Sequence, residues 1–598
     1  MLSYKAPLRD MRFVRDELLD FPGLYRSFPG CEDFTPELIG QVLDEAARFC
    51  EEVLAPLYQS GDREGCTWTP GGVRTPAGFR EAYRRYVEGG WATLSAPVEW
   101  GGQGLPASVG LLFDDMAGTA NWAWHMYPGL SHGASRTLKV HGTPEQKATY
   151  LGKLVSGEWT GTMCLTESHC GSDLGMLRTR AEPRPDGSYA ISGTKIFISS
   201  GDHDLAENIV HIVLARLPDA PPGTKGISLF LVPKRLPQPD GSLQPNAVSC
   251  GAIEHKMGIN ASATCVMNFD GATGFLIGEP NRGLPHMFTF MNAARLGTAM
   301  QGLAACELSW QGARAYAMER LQGRSLAGPK NPAGPADPLV VHPNIRRMLL
   351  IQRAFAEGSR AFIYWLCQQV DILDRSPDEA ARKQAEDLMA LLTPVAKAFT
   401  TEVGYEAANH GVQVLGGHGY VRDNGMEQIV RDTRIALLYE GTSAIQALDL
   451  LGRKVMGSGG ELLRVYQRQV DAFAAGCGDR GDMAPMLSAL QAGGKRLESL
   501  TWKVAEAAMK NPEEADAAAF EYLMFMGYHV LGFMWARMAR LAADALSAGA
   551  TEREFYAAKL ETARFYFARV LPRTESLALC IEAGAEPIVS IPQDHFAA

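Results

Sequence analysis

Several protein classes are set aside by what this sequence lacks. No uninterrupted apolar run in its 598 residues reaches the 18 or so that a membrane helix needs. The first residues, Met1-Leu2-Ser3-Tyr4-Lys5-Ala6-Pro7-Leu8-Arg9-Asp10, hold no apolar core of the kind a secretory leader carries. The 11 cysteines run from Cys31 to Cys580, are odd in number and never fall in a CxxC spacing. That argues against a disulfide framework or a zinc site, so no metal is expected, and it suits reduced thiols in a cytoplasmic chain. Basic residues are in deficit, 57 against 67 acidic, for a net charge of −10, so a nucleic-acid partner is not expected. The 62 glycines and 34 prolines show no collagen or linker period, and no short repeat is visible.

What is present reads as a globular chain. Hydrophobic residues make up 46% and charged residues 21%. At roughly 150 residues per domain, about four domains are expected. The first third reads as helices. Thr35-Pro36-Glu37 is a capped start, and Leu38, Ile39, Val42, Leu43, Ala46, Phe49, Cys50, Val53 and Leu54 behind it recur at three- and four-residue steps. Thr143-Pro144-Glu145-Gln146 is a second such start.

The pattern changes near residue 160. Asp186-Gly187 is a hairpin signal, and the runs Ile196–Ile198, Ile209–Leu214 and Ile227–Val232 are strands parted by Pro and Gly clusters. Helical spacing returns from Gly283, Gly457-Ser458-Gly459-Gly460 reads as a linker, and the remainder is helical. The expected division is an N-terminal extension over 1–34, an α domain over 35–159, a β domain over 160–280, an α-helical catalytic domain over 281–456 and an additional helical domain over 461–598.

Three segments could carry chemistry: Met163–Asp173, Gln413–Tyr420 and Arg431–Ser443. Gly416-Gly417-His418-Gly419 offers bare amides that can approach a phosphate, although alone it reads first as a turn between helices. Thr166 and Ser172 offer hydroxyls that could equally serve turns. Glu440, after an apolar stretch and before Gly-Thr-Ser, is either a helix-start acid, which spacing alone favours, or a base held in an apolar pocket.

Together and in this order the segments resemble the acyl-CoA dehydrogenase family of flavoproteins. Family patterns TEPGAGSD, W-x-T, QxxGGxGY and YEGTSxIQ match Thr166–Asp173, Phe197–Ser199, Gln413–Tyr420 and Tyr439–Gln446. The start Tyr4–Asp10 and the long tail are similar to a larger bacterial subgroup that includes 3-methylmercaptopropionyl-CoA dehydrogenase and related fatty acyl-CoA dehydrogenases.

The resemblance implies an α+β fold: an N-terminal helical domain, a central β-barrel-like domain, a C-terminal helical bundle and an extra helical domain. It implies FAD as cofactor and oxidation of a medium- or long-chain acyl-CoA to the trans-2-enoyl-CoA, as in fatty acid β-oxidation. 3-Methylthiopropanoyl-CoA is the alternative substrate. A flavin-bearing scaffold or nucleic-acid-associated homologue without turnover is the alternative of another class; the retained Glu440 and the acidic balance of 461–598 (14 basic, 18 acidic residues) count against it.

Glu440 matches the base that removes the α proton, with its backbone N–H donating to the thioester carbonyl. The other base position known in the family falls at Ala293 or Ala294, which cannot take a proton. Leu165 and Thr166 match contacts to the isoalloxazine edge, Phe197 an aromatic that packs on it, and Ser199 a hydroxyl near N5. Gln413, Gly416 and Gly417 match residues that hold the FAD pyrophosphate of a neighbouring subunit, with Arg320 and Thr442 as further FAD contacts. Ser172, Arg295, Tyr439 and Gly441 match substrate-side positions; Arg295 reads equally as an exposed helix cation. Phe197 without its neighbours reads as a strand core residue, and family Trp is common there. A homodimer or dimer of dimers and an electron-transfer flavoprotein, or another acceptor, are the implied partners. His169 replaces a family glycine and reads as a surface-loop histidine.

Overall fold

A computed structural model describes residues 2–478 and 481–597. The chain forms two compact units, one of Leu43–Gly297 and one of Met1–Val42 with Thr298–Ala598.

In the first of these, helices precede a β-barrel. The Ala107–His141 helix breaks at Asn121, whose φ is −161°. There the Asn121 side chain accepts from the Trp124 amide (3.1 Å) and donates to the Leu54 carbonyl (3.2 Å), capping the second half of the helix. The capped start expected at Thr143 forms, as a capping box with Gln146. This region is not wholly helical, as the sequence suggested: β1 (Thr67–Thr69) and β2 (Gly72–Arg74) make a small hairpin. Its signal is the Pro70-Gly71-Gly72 turn, where Gly72 takes φ +123°.

The remaining strands are β3 (Trp159–Cys164), β4 (Arg180–Pro183), β5 (Tyr189–Ser199), β6 (Asn208–Arg216), β7 (Ile227–Pro233), β8 (Arg235–Pro237), β9 (Leu243–Pro245), β10 (Val248–Ile253) and β11 (Thr264–Ile277). β11 pairs with β5, β5 with β4, β4 with β6, β6 with β7, and β7 with β11 again, so five strands close a ring. β3 lies parallel to β6 outside the ring, and β10 lies antiparallel to β11. β6 and β7 read as unbroken apolar runs because both faces are covered. Val213, Phe230 and Val232 point to one core, while Ile212, Leu214, Leu229 and Leu231 point to another shared with Leu138, Leu154 and Phe290.

The second unit is helical. The long helices are Gly283–Glu319 (its part beyond Gly297), Pro343–Arg375, Glu379–Leu415, Ala484–Lys510, Glu513–Ser547 and Arg553–Arg569. Glycine sets two close crossings: a Cβ on Gly302 would sit 2.3 Å from the Thr400 carbonyl oxygen, and one on Gly527 would strike the Phe399 ring. The second crossing seats the tail directly on the Glu379–Leu415 helix. Glu513–Ser547 is accordingly buried along most of its length; Leu523, Met526, Val530 and Met534 are core, whereas Phe520 is exposed. Residues 457–460 form a turn inside this unit. Leu38, assigned to the buried face of the Pro36–Phe49 helix, is exposed. Among the described residues, no helix is long and apolar enough to cross a membrane.

Candidate active site

The helical unit carries Glu440. A single turn of 3-10 helix, Ile435–Leu437, ends in bends at Tyr439 and Glu440. Glu440 then takes φ +57° and Gly441 φ +87°. Left-handed backbone costs a non-glycine residue about 1–3 kcal/mol, so something must hold it. Three braces are present. The Gln446 amide donates to the Glu440 carbonyl at 3.2 Å. The Lys397 ammonium, fully buried, donates to the Gly441 carbonyl at 2.6 Å. The Tyr439 hydroxyl donates to Gln301, whose own amide donates to the Asp432 carbonyl. Gly441 is required twice over, since a Cβ there would stand 2.4 Å from the Gln446 amide nitrogen. The result is a half-buried carboxylate with Oε2 shut away from water. Thr442, expected near FAD, caps the next helix through the Ile445 amide, and Ser443 donates to Glu402 at 2.7 Å.

The same unit presents the glycine turn. Gly416 takes φ +59°, and a Cβ on Gly416 or Gly417 would meet nothing within 4 Å. Gly419 differs: a Cβ there would lie 2.3 Å from the Val412 carbonyl oxygen, so Gly419 makes the turn, while Gly416, whose amide donates to the Gln413 carbonyl, and Gly417 leave the backbone open to close approach. Gln413, Gly416, Gly417 and Arg320 are all exposed. The Tyr316 hydroxyl meets His418 at 3.2 Å, which joins the helix end that carries Arg320 to the glycine turn. An open glycine backbone, with exposed Gln413 and Arg320 on the two helix ends joined here, suits a pyrophosphate.

On the barrel unit, Leu165, Thr166, Phe197 and Ser199 come together at the ends of β3 and β5. The Ile196 amide donates to the Thr166 carbonyl (2.9 Å), and buried Lys195 donates to the Leu165 carbonyl (2.9 Å) and to Glu167 (2.8 Å). Glu167 also accepts from the Thr179 hydroxyl and from the Arg178 and Thr179 amides. Burial pushes its carboxyl up, but Lys195 and these donors prevail and hold it at about 2. Glu167, His169 and Cys170 cluster closely enough for a metal, but both Glu167 oxygens are already bonded. Phe197 is not a core residue: it is 59% exposed and sits at φ +59°. An aromatic face held in solvent by strained backbone, with hydroxyls at Thr166 and Ser199, fits a flavin ring. Ser172 is exposed. Arg295 is only 5% exposed, with its guanidinium 6.0 Å from the Phe288 ring centre, so the exposed-cation reading fails. His169 is half-buried, its Nε2 3.0 Å from the Met176 carbonyl oxygen.

Sequence reasoning missed Lys195, Glu167, Lys397, Gln301 and Gln446 as braces. Gln446 and Glu167 lie inside recognised motifs. Lys397 gave no local signal, because its partner is 44 residues away.

Comparison with known proteins agrees along nearly the whole length. The profile for the acyl-CoA dehydrogenase N-terminal domain matches residues 38–158, that for the middle domain 162–272 and that for the C-terminal domain 281–456. A profile described as acetyl-CoA dehydrogenase C-terminal like matches 466–592. The chain is 41% identical to a 3-methylmercaptopropionyl-CoA dehydrogenase of Ruegeria pomeroyi, over 95% of this chain and 96% of that one. It is 33% identical to the broad-specificity linear acyl-CoA dehydrogenase FadE5 of Mycobacterium tuberculosis, over 100% of both. In fold it is similar to Caenorhabditis elegans ACDH-11, solved in complex with C11-CoA, with a TM-score of 0.78 over 97% of this chain and 95% of that one, at 19% identity.

Proposed function

The chain belongs to the acyl-CoA dehydrogenase family, and on that premise we propose that it oxidises a linear acyl-CoA across its α and β carbons with Glu440 as the base. It is an FAD-dependent oxidoreductase. When bound, FAD supplies the acceptor for the β hydrogen, which leaves as hydride.

The observation that carries the residue assignment is the braced, left-handed Glu440. A carboxylate shielded from water is the stronger base. Its backbone N–H donates to the thioester carbonyl and tightens as negative charge grows on that oxygen, which favours the transition state over bound substrate. Lys195 fixes the Leu165–Thr166 edge that would orient the ring, and the exposed Phe197 would pack on it. Gly416, Gly417, Gln413 and Arg320 would hold the pyrophosphate. Their exposure, with apolar Met318, Leu326 and Tyr420 also open to solvent, supports a homodimer in which this surface serves the neighbour's cofactor. The electrons pass to an electron-transfer flavoprotein or another acceptor, and the free cysteines suit the cytoplasm.

For substrate, the full-length likeness to the Ruegeria pomeroyi enzyme puts 3-methylthiopropanoyl-CoA first. The likeness to the Mycobacterium tuberculosis enzyme supports a second reading, a medium- or long-chain acyl-CoA. A panel of graded acyl-CoAs plus the methylthio thioester, assayed with an artificial electron acceptor, separates the two by the highest kcat/KM. Glu440→Gln in the same panel keeps its yellow colour and its ligand affinity and loses about 10²- to 10⁴-fold in rate, the range of a positioned general base. Near-normal turnover by that variant removes Glu440 from the role.

A further inference from the structure

The helices after residue 461 hold none of the residues assigned to the reaction, yet they grip the helix on which the base loop is braced. Phe399, Glu402 and Glu406 lie on the Glu379–Leu415 helix at three- and four-residue steps, so they share one face. Glu402 accepts from the Ser443 hydroxyl at 2.7 Å, and Ser443 opens the Ser443–Leu448 helix three residues after Glu440. The other two residues of that face are held from the tail. Both terminal nitrogens of Arg573, the first residue of the Arg573–Ala583 helix, donate to the Glu406 carboxylate at 2.8 Å. Arg573 also donates to the Tyr528 hydroxyl at 3.0 Å. The Tyr528 ring meets the buried Phe399 ring edge-on, with centres 4.9 Å apart. Tyr528 belongs to the Glu513–Ser547 helix, which packs on the Ser443–Leu448 helix as well.

A two-point, charge-assisted pair fixes direction as well as distance. Burial would raise the Glu406 carboxyl, but His410 and Arg573 outweigh it and hold it at about 2, so the pair stays charged through the neutral range. Glu402 stands one helical turn before Glu406. Any rotation of this face therefore moves the acceptor on which Ser443 leans, and with it the turn that carries Glu440.

We propose that Arg573 and Tyr528 are positioning residues for Glu440: from the tail they fix the Phe399–Glu406 face, and through Glu402 and Ser443 that face fixes the turn bearing the base. The additional helical domain thereby takes part in turnover without placing a residue in the site. The effect on turnover rests on Glu440 as the base; the mechanical link from Arg573 to the turn does not.

The test compares wild-type holoenzyme with Arg573→Met, Arg573→Lys and Tyr528→Phe. Arg496→Met is the control, because it breaks a different ion pair of the tail, to Glu582 at 2.7 Å. Amide hydrogen exchange is followed in peptides spanning 438–448, and kcat and KM are measured with an artificial electron acceptor. Arg573→Met is expected to raise exchange in 438–448 and to lower kcat several-fold, with KM and flavin content unchanged. Arg573→Lys recovers part of the rate, and Arg496→Met moves neither readout. Tyr528→Phe, which removes only a hydroxyl, shows the same pattern more weakly and keeps the test decisive if Arg573→Met fails to fold. Unchanged exchange in 438–448 overturns the link from tail to turn, and an equal loss in Arg496→Met overturns its path through Arg573. Glu440→Gln, run alongside, separates the two claims. If it is inactive while Arg573→Met turns over normally, the positioning role falls and the base stands; if it turns over normally, the base falls and takes the positioning role with it.

Discussion

At the scale of single residues, the proposed role of Glu440 makes the reaction depend on how firmly one loop is held. Lys397 is fully buried and its ammonium grips the Gly441 carbonyl, next to a glutamate in left-handed backbone. Lys397→Met removes that grip and leaves a carbonyl without its charge-assisted partner. If Glu440 is the base, as proposed, it then drifts from its attack geometry, and a misplacement near 1 Å can cost about 10²-fold in rate. We expect kcat to fall by that order while flavin content and KM move little, and Lys397→Arg to restore part of the rate. A variant that loses flavin and rate together would make Lys397 a general structural residue. Glu440 and Gly441 were legible in the sequence because they lie in one contiguous motif. Lys397 was not, since nothing in its own helix face marks it and its partner arrives by tertiary packing.

At the scale of elements, the glycine turn and the barrel make separable claims. Gly416 has positive φ, so any side chain strains it, whereas Gly417 faces open space. Gly417→Leu should therefore leave the fold and its denaturant midpoint unchanged and lower FAD occupancy; full occupancy would remove Gly417 from the pyrophosphate site. The barrel has its own acid sensitivity. His203 and His211 are buried against Thr160 and Thr162, and burial, with Lys234 next, drives each imidazole down to about 3. In the unfolded chain they titrate near about 6.5. Folded histidines that resist protonation contribute stability that is complete above that value and lost as pH falls from there towards 3. Denaturant midpoints between pH 7 and 4 should decline, and His211→Phe should flatten the decline if the ring is tolerated. Strands β5, β6 and β7 were readable because the Asp186-Gly187 turn and three apolar runs mark them, whereas β10 and β11 carry no such run. The β1–β2 hairpin was not, because three-residue strands carry no periodicity and β1 is anchored from outside: the Trp68 indole donates to the Cys250 carbonyl at 2.8 Å.

At the scale of the whole molecule, the start of the chain and the Arg553–Arg569 helix of its tail belong to one ionic cluster in the helical unit. Asp10 is buried between Arg360, at 2.6 Å, and Lys559. Lys559 also meets Glu357 at 2.8 Å, Arg360 meets Glu307 at 2.9 Å, and Arg353 meets Glu357 at 2.7 Å. Three acids balance three bases, so the cluster is neutral only when complete. The start Tyr4–Asp10 could be quoted as a subgroup mark from sequence, but its task could not, because the partners stand at positions 307, 357, 360 and 559. Burial alone would raise the Asp10 carboxyl; Lys559 and Arg360 outweigh it and hold it below its usual value. A depressed acid contributes stability above its unfolded value, near about 3.9, and loses it as pH falls below. Asp10→Ala leaves two buried cations short of a partner, and breaking a buried pair in this way costs about 3–5 kcal/mol. Asp10→Leu combined with Lys559→Met removes a charge of each sign and should cost less than the two single changes summed. Denaturant midpoints of the four proteins at pH 7 measure the difference. Additivity would mean that Asp10 and Lys559 stabilise the unit independently, and the N-terminal segment would then be a covering helix rather than the piece that completes the charge balance of the tail.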